Sequence, residues 1–166
     1  WIRRSSDNGV TGVAFGLTGN GTSSFDTPIP GDYDGDGKAD LAIWRSGPGE
    51  WWGRRSTNGS VFAVQFGATS DRPVQGDYTG DGKADIAFWR PTDGNWYIMG
   101  SGTNTVRIEH FGTNGDKIVP GDYDGDGKTD LAVWRPSSGV WYIWRSSDGG
   151  YDYRQFGLNG DLPLTG

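Results

Sequence analysis

Asp32-Tyr-Asp-Gly-Asp-Gly-Lys-Ala-Asp40 returns 45 residues later as Asp77-Tyr-Thr-Gly-Asp-Gly-Lys-Ala-Asp85, and 45 later again as Asp122-Tyr-Asp-Gly-Asp-Gly-Lys-Thr-Asp130. Each nonapeptide packs three or four carboxylates into a loop too short to keep them apart. Without a neutralising charge they repel one another. Oxygen-only side chains at every second position form the donor set of a hard divalent cation and suit calcium. The spacing matters as much as the composition, because a fixed period of 45 residues marks a tandem repeat.

Position by position, Asp32, Asp34 and Asp36 occupy places 1, 3 and 5, so their side chains can converge while the backbone turns around an ion. Gly35 and Gly37 allow backbone angles that a Cβ disfavours. Lys38 at place 7 can offer only its carbonyl, and Asp40 at place 9 can close the shell. The third loop repeats the pattern with Asp122, Asp124, Asp126, Lys128 and Asp130. In the second, Thr79 replaces the middle Asp beside Asp77, Asp81, Lys83 and Asp85, so one charge is lost. Three calcium sites are expected, the second the weakest. An EF-hand needs Glu at place 12, where Ile43, Phe88 and Val133 stand instead. A metal-free Asx-rich turn is the bland alternative, and three copies in register argue against it.

Working outward, each loop runs into an apolar stretch ending in Trp-Arg: Leu41-Ala-Ile-Trp-Arg45, Ile86-Ala-Phe-Trp-Arg90 and Leu131-Ala-Val-Trp-Arg135. A Gly-containing turn leads to an aromatic stretch at Trp51-Trp52, Trp96-Tyr97-Ile98 and Trp141-Tyr142-Ile143. After a second turn a strand ends in Phe66-Gly67, Phe111-Gly112 and Phe156-Gly157. Each period therefore reads as strand A, acidic loop, strand B, strand C and strand D. Four short antiparallel strands in about 45 residues have the size of a β-propeller blade. Trp44, Trp89 and Trp134 are expected in the core between blades, and a proline in strand A suits an edge.

Composition agrees with an all-β class. The 166 residues include 30 Gly, 9 Trp and 7 Tyr, with one Met and no Cys. At 33 % apolar residues, large aromatics must carry much of the burial. Without disulfides, calcium loops are the remaining staples, and cytosolic free calcium is too low to fill modest-affinity sites, which favours an extracellular or cell-surface location. The start at Trp1 suits a mature or trimmed product, and no apolar run is long enough to span a membrane. A net charge of −6 argues against nucleic acid as a partner. The three loops hold eleven of the 21 acidic residues, and three calcium ions would bring the net charge to zero.

Phe-Gly followed by Gly-Asp-x-Asp-Gly-Asp-Gly-x-x-Asp-Leu-Ala resembles the FG-GAP/VCBS family of repeats. The resemblance implies calcium-binding β-propeller blades of the kind found in integrin α-subunits, some fungal lectins and many secreted bacterial proteins. It covers essentially the whole chain, implies that the calcium loop joins strands A and B, and carries the metal-site pattern onto the loop positions above. Thr79 is the one departure. Such propellers usually have about seven blades, more than this chain can supply.

The expected organisation is one repeat domain over residues 1–166: a partial blade with strands C and D at 1–30, repeats at 31–75, 76–120 and 121–160, and strand A of a next blade at 161–166. Trp1-Ile-Arg-Arg-Ser5 matches Trp52-Gly-Arg-Arg-Ser56, and Asp161-Leu-Pro-Leu matches Asp116-Lys-Ile-Val. A longer loop is expected around residues 18–24. Three readings of the split terminal blade stay open: an excerpt of a longer array, two chains closing one ring, or head-to-tail joining into a ring or filament.

The functional expectation is a secreted, calcium-stabilised structural or adhesive module, with copies of itself or further repeats of a parent chain as partners. The alternative is a carbohydrate-binding propeller, with Arg54, Arg55, Arg107 and Arg145 near the variable strand C. An enzyme is not expected. The sole histidine, His110, has no cysteine or recurring Ser/His/Asp set beside it, and a carboxylate bound to calcium is not free for acid–base work.

Overall fold

The computed structural model describes residues 1–16 and 26–164, so the loop expected around residues 18–24 lies outside the described residues. A two-stranded hairpin, β1 (Ile2–Arg3) and β2 (Val10–Thr11), comes first. Three four-stranded antiparallel sheets follow. The first is β3 (Asp26–Pro28), β4 (Leu41–Arg45), β5 (Glu50–Arg54) and β6 (Val61–Gln65). The second is β7 (Arg72–Pro73), β8 (Ile86–Arg90), β9 (Asn95–Met99) and β10 (Val106–His110). The third is β11 (Lys117–Ile118), β12 (Leu131–Arg135), β13 (Val140–Trp144) and β14 (Tyr151–Gln155). In each sheet the spatial order is the chain order, the A-B-C-D meander read from the repeat. The acidic loop joins its first and second strands.

Burial explains the local patterns. The Leu-Ala-x-Trp-Arg strands are inner strands covered on both faces, and they read as nearly continuous apolar runs. The strand after each alternates buried and half-buried residues in the first two sheets. Pro28 and Pro73 sit on edge strands, where the missing N–H costs no ladder bond.

Neighbouring sheets share their cores. Ile29, Tyr33, Ala42, Trp44 and Trp51 of the first sheet cluster with Phe88 of the second. Val74, Tyr78, Trp89, Trp96 and Ile98 of the second cluster with Leu131 and Val133 of the third. Cross-strand tryptophan pairs mark the centre of each sheet: Trp44 with Trp51, Trp89 with Trp96, and Trp134 with Trp141. Trp44, Trp89 and Trp134 are all at most 1 % exposed, so they are core residues as expected. Truncating one to Ala costs about 3–5 kcal/mol.

The Phe-Gly signature has a double purpose. The carbonyl of Phe111 accepts the indole N–H of Trp96 at 2.8 Å and of Trp89 at 3.2 Å, and Phe156 does the same for Trp141 and Trp134. The glycine that follows lets an indole pack on bare backbone. Gly67 has φ +124°, and a Cβ there would lie 2.5 Å from the Trp44 ring.

An ion pair between a buried aspartate and a half-buried arginine ties strand A to the end of strand B in every sheet. Asp26 meets Arg45 at 2.9 Å, Asp71 meets Arg90 at 2.7 Å, and Asp116 meets Arg135 at 2.8 Å. Each arginine also covers an aromatic ring of the next strand, as Arg90 covers Tyr97 at 4.7 Å and Arg135 covers Tyr142 at 4.5 Å. Removing the arginine leaves a buried carboxylate without its counterion, at a cost of about 3–5 kcal/mol.

Candidate metal centre

The loops are built from their own main chain. Gly31, Gly76 and Gly121 bridge to Asp40, Asp85 and Asp130, closing the base of each loop. Asp32 Oδ1 accepts the N–H of Gly35 at 2.6 Å and its Oδ2 accepts that of Gly37 at 2.7 Å. Asp77 and Asp122 hold the corresponding glycines of their loops in the same way. Place 1 therefore folds the turn over its own carboxylate. Gly35 and Gly37 have φ of +82° and +80°, the left-handed backbone such a turn requires.

Place 9 is anchored from beneath. Asp40, Asp85 and Asp130 are at most 1 % exposed. Asp40 Oδ2 accepts the N–H of Tyr33 at 2.9 Å, and its Oδ1 accepts that of Ser56 at 2.6 Å. Asp85 and Asp130 repeat both bonds with Tyr78 and Ser101, and with Tyr123 and Ser146. Burial pushes the Asp85 carboxyl above the usual carboxylate range, with the Ser101 amide pulling the other way. The tyrosines following place 1 lock the loop stem: Tyr33, Tyr78 and Tyr123 donate to the carbonyls of Ile29, Val74 and Val119. Burial pushes the Tyr33 and Tyr78 phenols well up and raises that of Tyr123.

Carboxylates converge in the first and third loops. One oxygen each from Asp32, Asp34 and Asp40 lie within 4.8 Å of one another, as do oxygens of Asp122, Asp124 and Asp130. Asp34 Oδ2 accepts the Thr57 hydroxyl at 2.7 Å, while its Oδ1 is buried with no hydrogen-bond partner. A buried acceptor without a donor inside a ring of carboxylates is what a cation would satisfy. The donors are all hard oxygens, which fits calcium.

Place 5 is held elsewhere. Asp36 Oδ1 accepts the Lys38 N–H at 2.9 Å, and its Oδ2 accepts the Ser56 hydroxyl at 2.7 Å. Asp81 and Asp126 bind Ser101 and Ser146 in the same manner. The serine hydroxyl is the first cause holding all three carboxyls below their ordinary range. Lys38, Lys83 and Lys128 donate their amides to Asp36, Asp81 and Asp126, closing the outer turn. The side chains of Lys83 and Lys128 lie along Gly35 and Gly80 of the preceding loop.

The second loop departs where its sequence does. The Thr79 hydroxyl donates to Asp85 Oδ1 at 3.3 Å, and the Thr79 amide donates to Asp85 Oδ2 at 3.0 Å. Among the described residues, Asp77, Asp81 and Asp85 form no convergent acidic trio of the kind seen in the other two loops.

The sequence profile of the FG-GAP-like repeat matches residues 32–88 and again residues 77–133, together more than half of the chain. The chain belongs to the FG-GAP-like repeat family. Comparison with curated proteins and with solved structures returned no match. Each FG-GAP-like match starts at place 1 of one loop and ends inside strand B of the next sheet. Each match therefore contains one serine clamp (Ser56 or Ser101) and one strand-A aspartate (Asp71 or Asp116).

Those clamps and ion pairs were not singled out in the sequence, although the signal was present. Ser56, Ser101 and Ser146 recur every 45 residues, as do Asp26, Asp71 and Asp116 and also Arg45, Arg90 and Arg135. The variable arginines are braced within the structure. Arg145 pairs with Asp148 at 2.9 Å and Asp152 at 2.7 Å, Arg107 lies 3.7 Å from Glu109, and Arg55 covers Phe62 at 5.0 Å. Arg54 donates to the Gly59 carbonyl at 3.3 Å.

Proposed function

We propose that this FG-GAP-like chain is an extracellular, calcium-stabilised module of structural or adhesive type, whose sheets are blades of a propeller-type array. Its partners are copies of itself or further repeats. The observation that carries the metal reading is the orphaned, buried Asp34 Oδ1 among the converging oxygens of Asp32 and Asp40. FG-GAP-like repeats often bind calcium and are typically extracellular, which supports the same reading. Calcium supplies positive charge at places 1, 3 and 9 and so cancels repulsion that folding imposes. Lys38, Lys83 and Lys128 and the place-5 aspartates shape the outer turn, and their carbonyls and waters are the remaining candidate donors. With the acidic side chains given to loop closure and His110 hydrogen-bonded to Asn95, no acid–base pair is proposed.

Thermal melting with calcium and with EDTA tests this. Metal that binds only the folded state raises its stability. A melting temperature about 2–8 °C lower in EDTA is expected for a stabilisation of about 1–2 kcal/mol. An unchanged melt removes calcium from the account.

A carbohydrate ligand is the second reading, favoured by one cleft between the second and third sheets. Trp144, Arg107, Glu109 and Arg145 line it, combining an aromatic face with polar groups. A glycan array that yields a defined sugar, lost on Trp144→Ala, would place this reading ahead of the structural one.

A further inference from the structure

The clefts at the two seams between sheets occupy the same place in the repeat, and they differ where the repeats differ. Tyr33, Arg55, Phe62, Val64 and Met99 line the cleft between the first and second sheets, which encloses about 160 Å³. Its groups are engaged with one another. The Phe62 ring lies 5.5 Å from that of Tyr33, and the Arg55 guanidinium covers Phe62 at 5.0 Å. At the seam between the second and third sheets, 45 residues on, the corresponding positions are Tyr78, Gly100, Arg107, Glu109 and Trp144. Gly100 has no side chain to replace the covering guanidinium, and the cleft is larger, at about 240 Å³. What is an apolar, self-covered seam in one place is an open, charged one in the next.

Charge and shape both narrow what the open cleft accepts. Arg107, Lys128 and Arg145 line it with one carboxylate, Glu109. Arg145 is matched by Asp148 at 2.9 Å and Asp152 at 2.7 Å. Arg107 and Glu109 stand 3.7 Å apart, beyond hydrogen-bond distance. Lys128 makes no ion pair among the described residues, whereas its counterpart Lys38 meets Asp36 at 3.3 Å. Positive charge is therefore in excess, on groups with donors to offer. The neighbouring wall is aromatic. Trp144 is half-buried against Phe111, and Tyr151, 5.4 Å from Trp144, is 49 % exposed. An aromatic wall beside uncompensated cations suits a ring that has an apolar face and carries one negative group.

We infer that this cleft takes a uronic acid unit of an acidic polysaccharide, its sugar ring against Trp144 and its carboxylate held by Arg107 and Lys128. This rests on the carbohydrate reading above and names its ligand class. The planar guanidinium of Arg107 matches a carboxylate with two parallel hydrogen bonds, which its loose contact with Glu109 does not supply. Lys128 adds a point charge from the acidic loop, so the ligand meets both sheets at once. A neutral hexose fills the same space but leaves the excess charge unmatched, and the cleft discriminates on that difference. The first seam cannot do this, because Phe62 and Val64 stand where Arg107 and Glu109 do.

The probes are glucuronate, galacturonate and mannuronate, each beside its neutral hexose. They are titrated into the ¹⁵N-labelled 166-residue chain in calcium and followed at the Trp144 indole N–H. At least one uronate is expected to bind about tenfold more tightly than its hexose. Arg107→Gln is expected to cut that preference to about threefold or less, and Arg107→Gln with Lys128→Gln to abolish it. Hexose affinity is expected to stay within about twofold in both, which a misfolded variant would not show. Acetate, the charge without the ring, is expected to leave the indole unmoved. No shift with any uronate, a preference that survives both changes, or acetate moving the indole as far as the uronate would overturn the inference. The two readings fail separately. Hexose and uronate binding equally at Trp144 removes the acidic class and keeps the carbohydrate reading, whereas silence from every sugar removes both.

Discussion

The main-chain N–H of Ala84 donates to the carbonyl oxygen of Asp32 at 2.6 Å, so place 8 of the second loop is bonded to place 1 of the first. Thr129 repeats the contact with Asp77 at 2.7 Å. The carboxylate of the same Asp32 faces the acidic cluster, so ordering one loop positions its neighbour. Hydrogen exchange should report this link. Chelating calcium is expected to speed exchange at the Ala84 and Thr129 amides by about tenfold or more, while ladder amides at Trp89 and Trp134 stay protected. Loops that loosen without any change at Ala84 would show that the bond is not coupled to the metal.

Thr79 makes the second loop distinct in two ways. It withdraws one negative charge, and its hydroxyl engages an oxygen of Asp85. Metal affinity of such oxygen sites follows ligand charge. Titrating calcium while following the amides of Gly37, Gly82 and Gly127 by NMR is expected to move Gly82 last. Thr79→Asp is expected to tighten that loop about tenfold and bring it level with the other two. A second loop that fills first in the unaltered chain would refute the ranking.

Acid should weaken the fold through place 5. Asp36, Asp81 and Asp126 have lowered carboxyl pKa values, chiefly through their serine hydroxyls. A depressed native pKa stabilises above the unfolded value and is lost as pH falls through the native one, so the loss begins below about pH 4. Asp85 acts with the opposite sign. Its pKa is raised by burial, so its ionisation opposes folding as pH rises above the unfolded value, and protonation in acid relieves that strain. Melting temperature is therefore expected to drop between about pH 4 and pH 2. Ser56→Ala, Ser101→Ala and Ser146→Ala together should flatten that drop. An equal slope in the triple variant would mean that other carboxylates govern the acid limb.

How far the sequence could carry these conclusions differs between residues. Asp32 and Asp40 were recognisable because charge crowding in a short loop is visible without coordinates, and Trp44 because an indole in an apolar run has few places but the core. The diversion of Asp36 to Ser56 was not recognisable, since alternation says which side chains can converge, not which oxygens meet a hydroxyl 20 residues away. The Asp71–Arg90 pair spans a loop and a strand, so no local pattern reveals it, although its recurrence every 45 residues does once both positions are compared. Strand order was readable from the repeat, whereas the faces that stack between sheets became visible only through burial of Tyr33 and Phe66 against Phe88.

The Phe-Gly signature permits a comparison of two glycines that separates packing from backbone preference. Gly67 and Gly37 both have positive φ, at +124° and +80°. A Cβ on Gly37 has nothing within 4 Å, so Gly37→Ala should cost only the left-handed penalty, about 1–2 kcal/mol. A Cβ on Gly67 would meet the Trp44 ring at 2.5 Å and Phe88 at 3.3 Å. Trp44 is 1 % exposed and packed against Trp51 at 5.2 Å, so it cannot retreat without displacing the pair. Overpacking adds about 1–3 kcal/mol to the backbone term. Urea unfolding of the two variants in calcium is expected to show Gly67→Ala destabilised by about 2–5 kcal/mol, at least twice the loss for Gly37→Ala. Equal losses would mean that the glycine of Phe-Gly is kept for its backbone angle alone, and that the close approach of Trp44 to the chain contributes nothing to the seam between the first and second sheets.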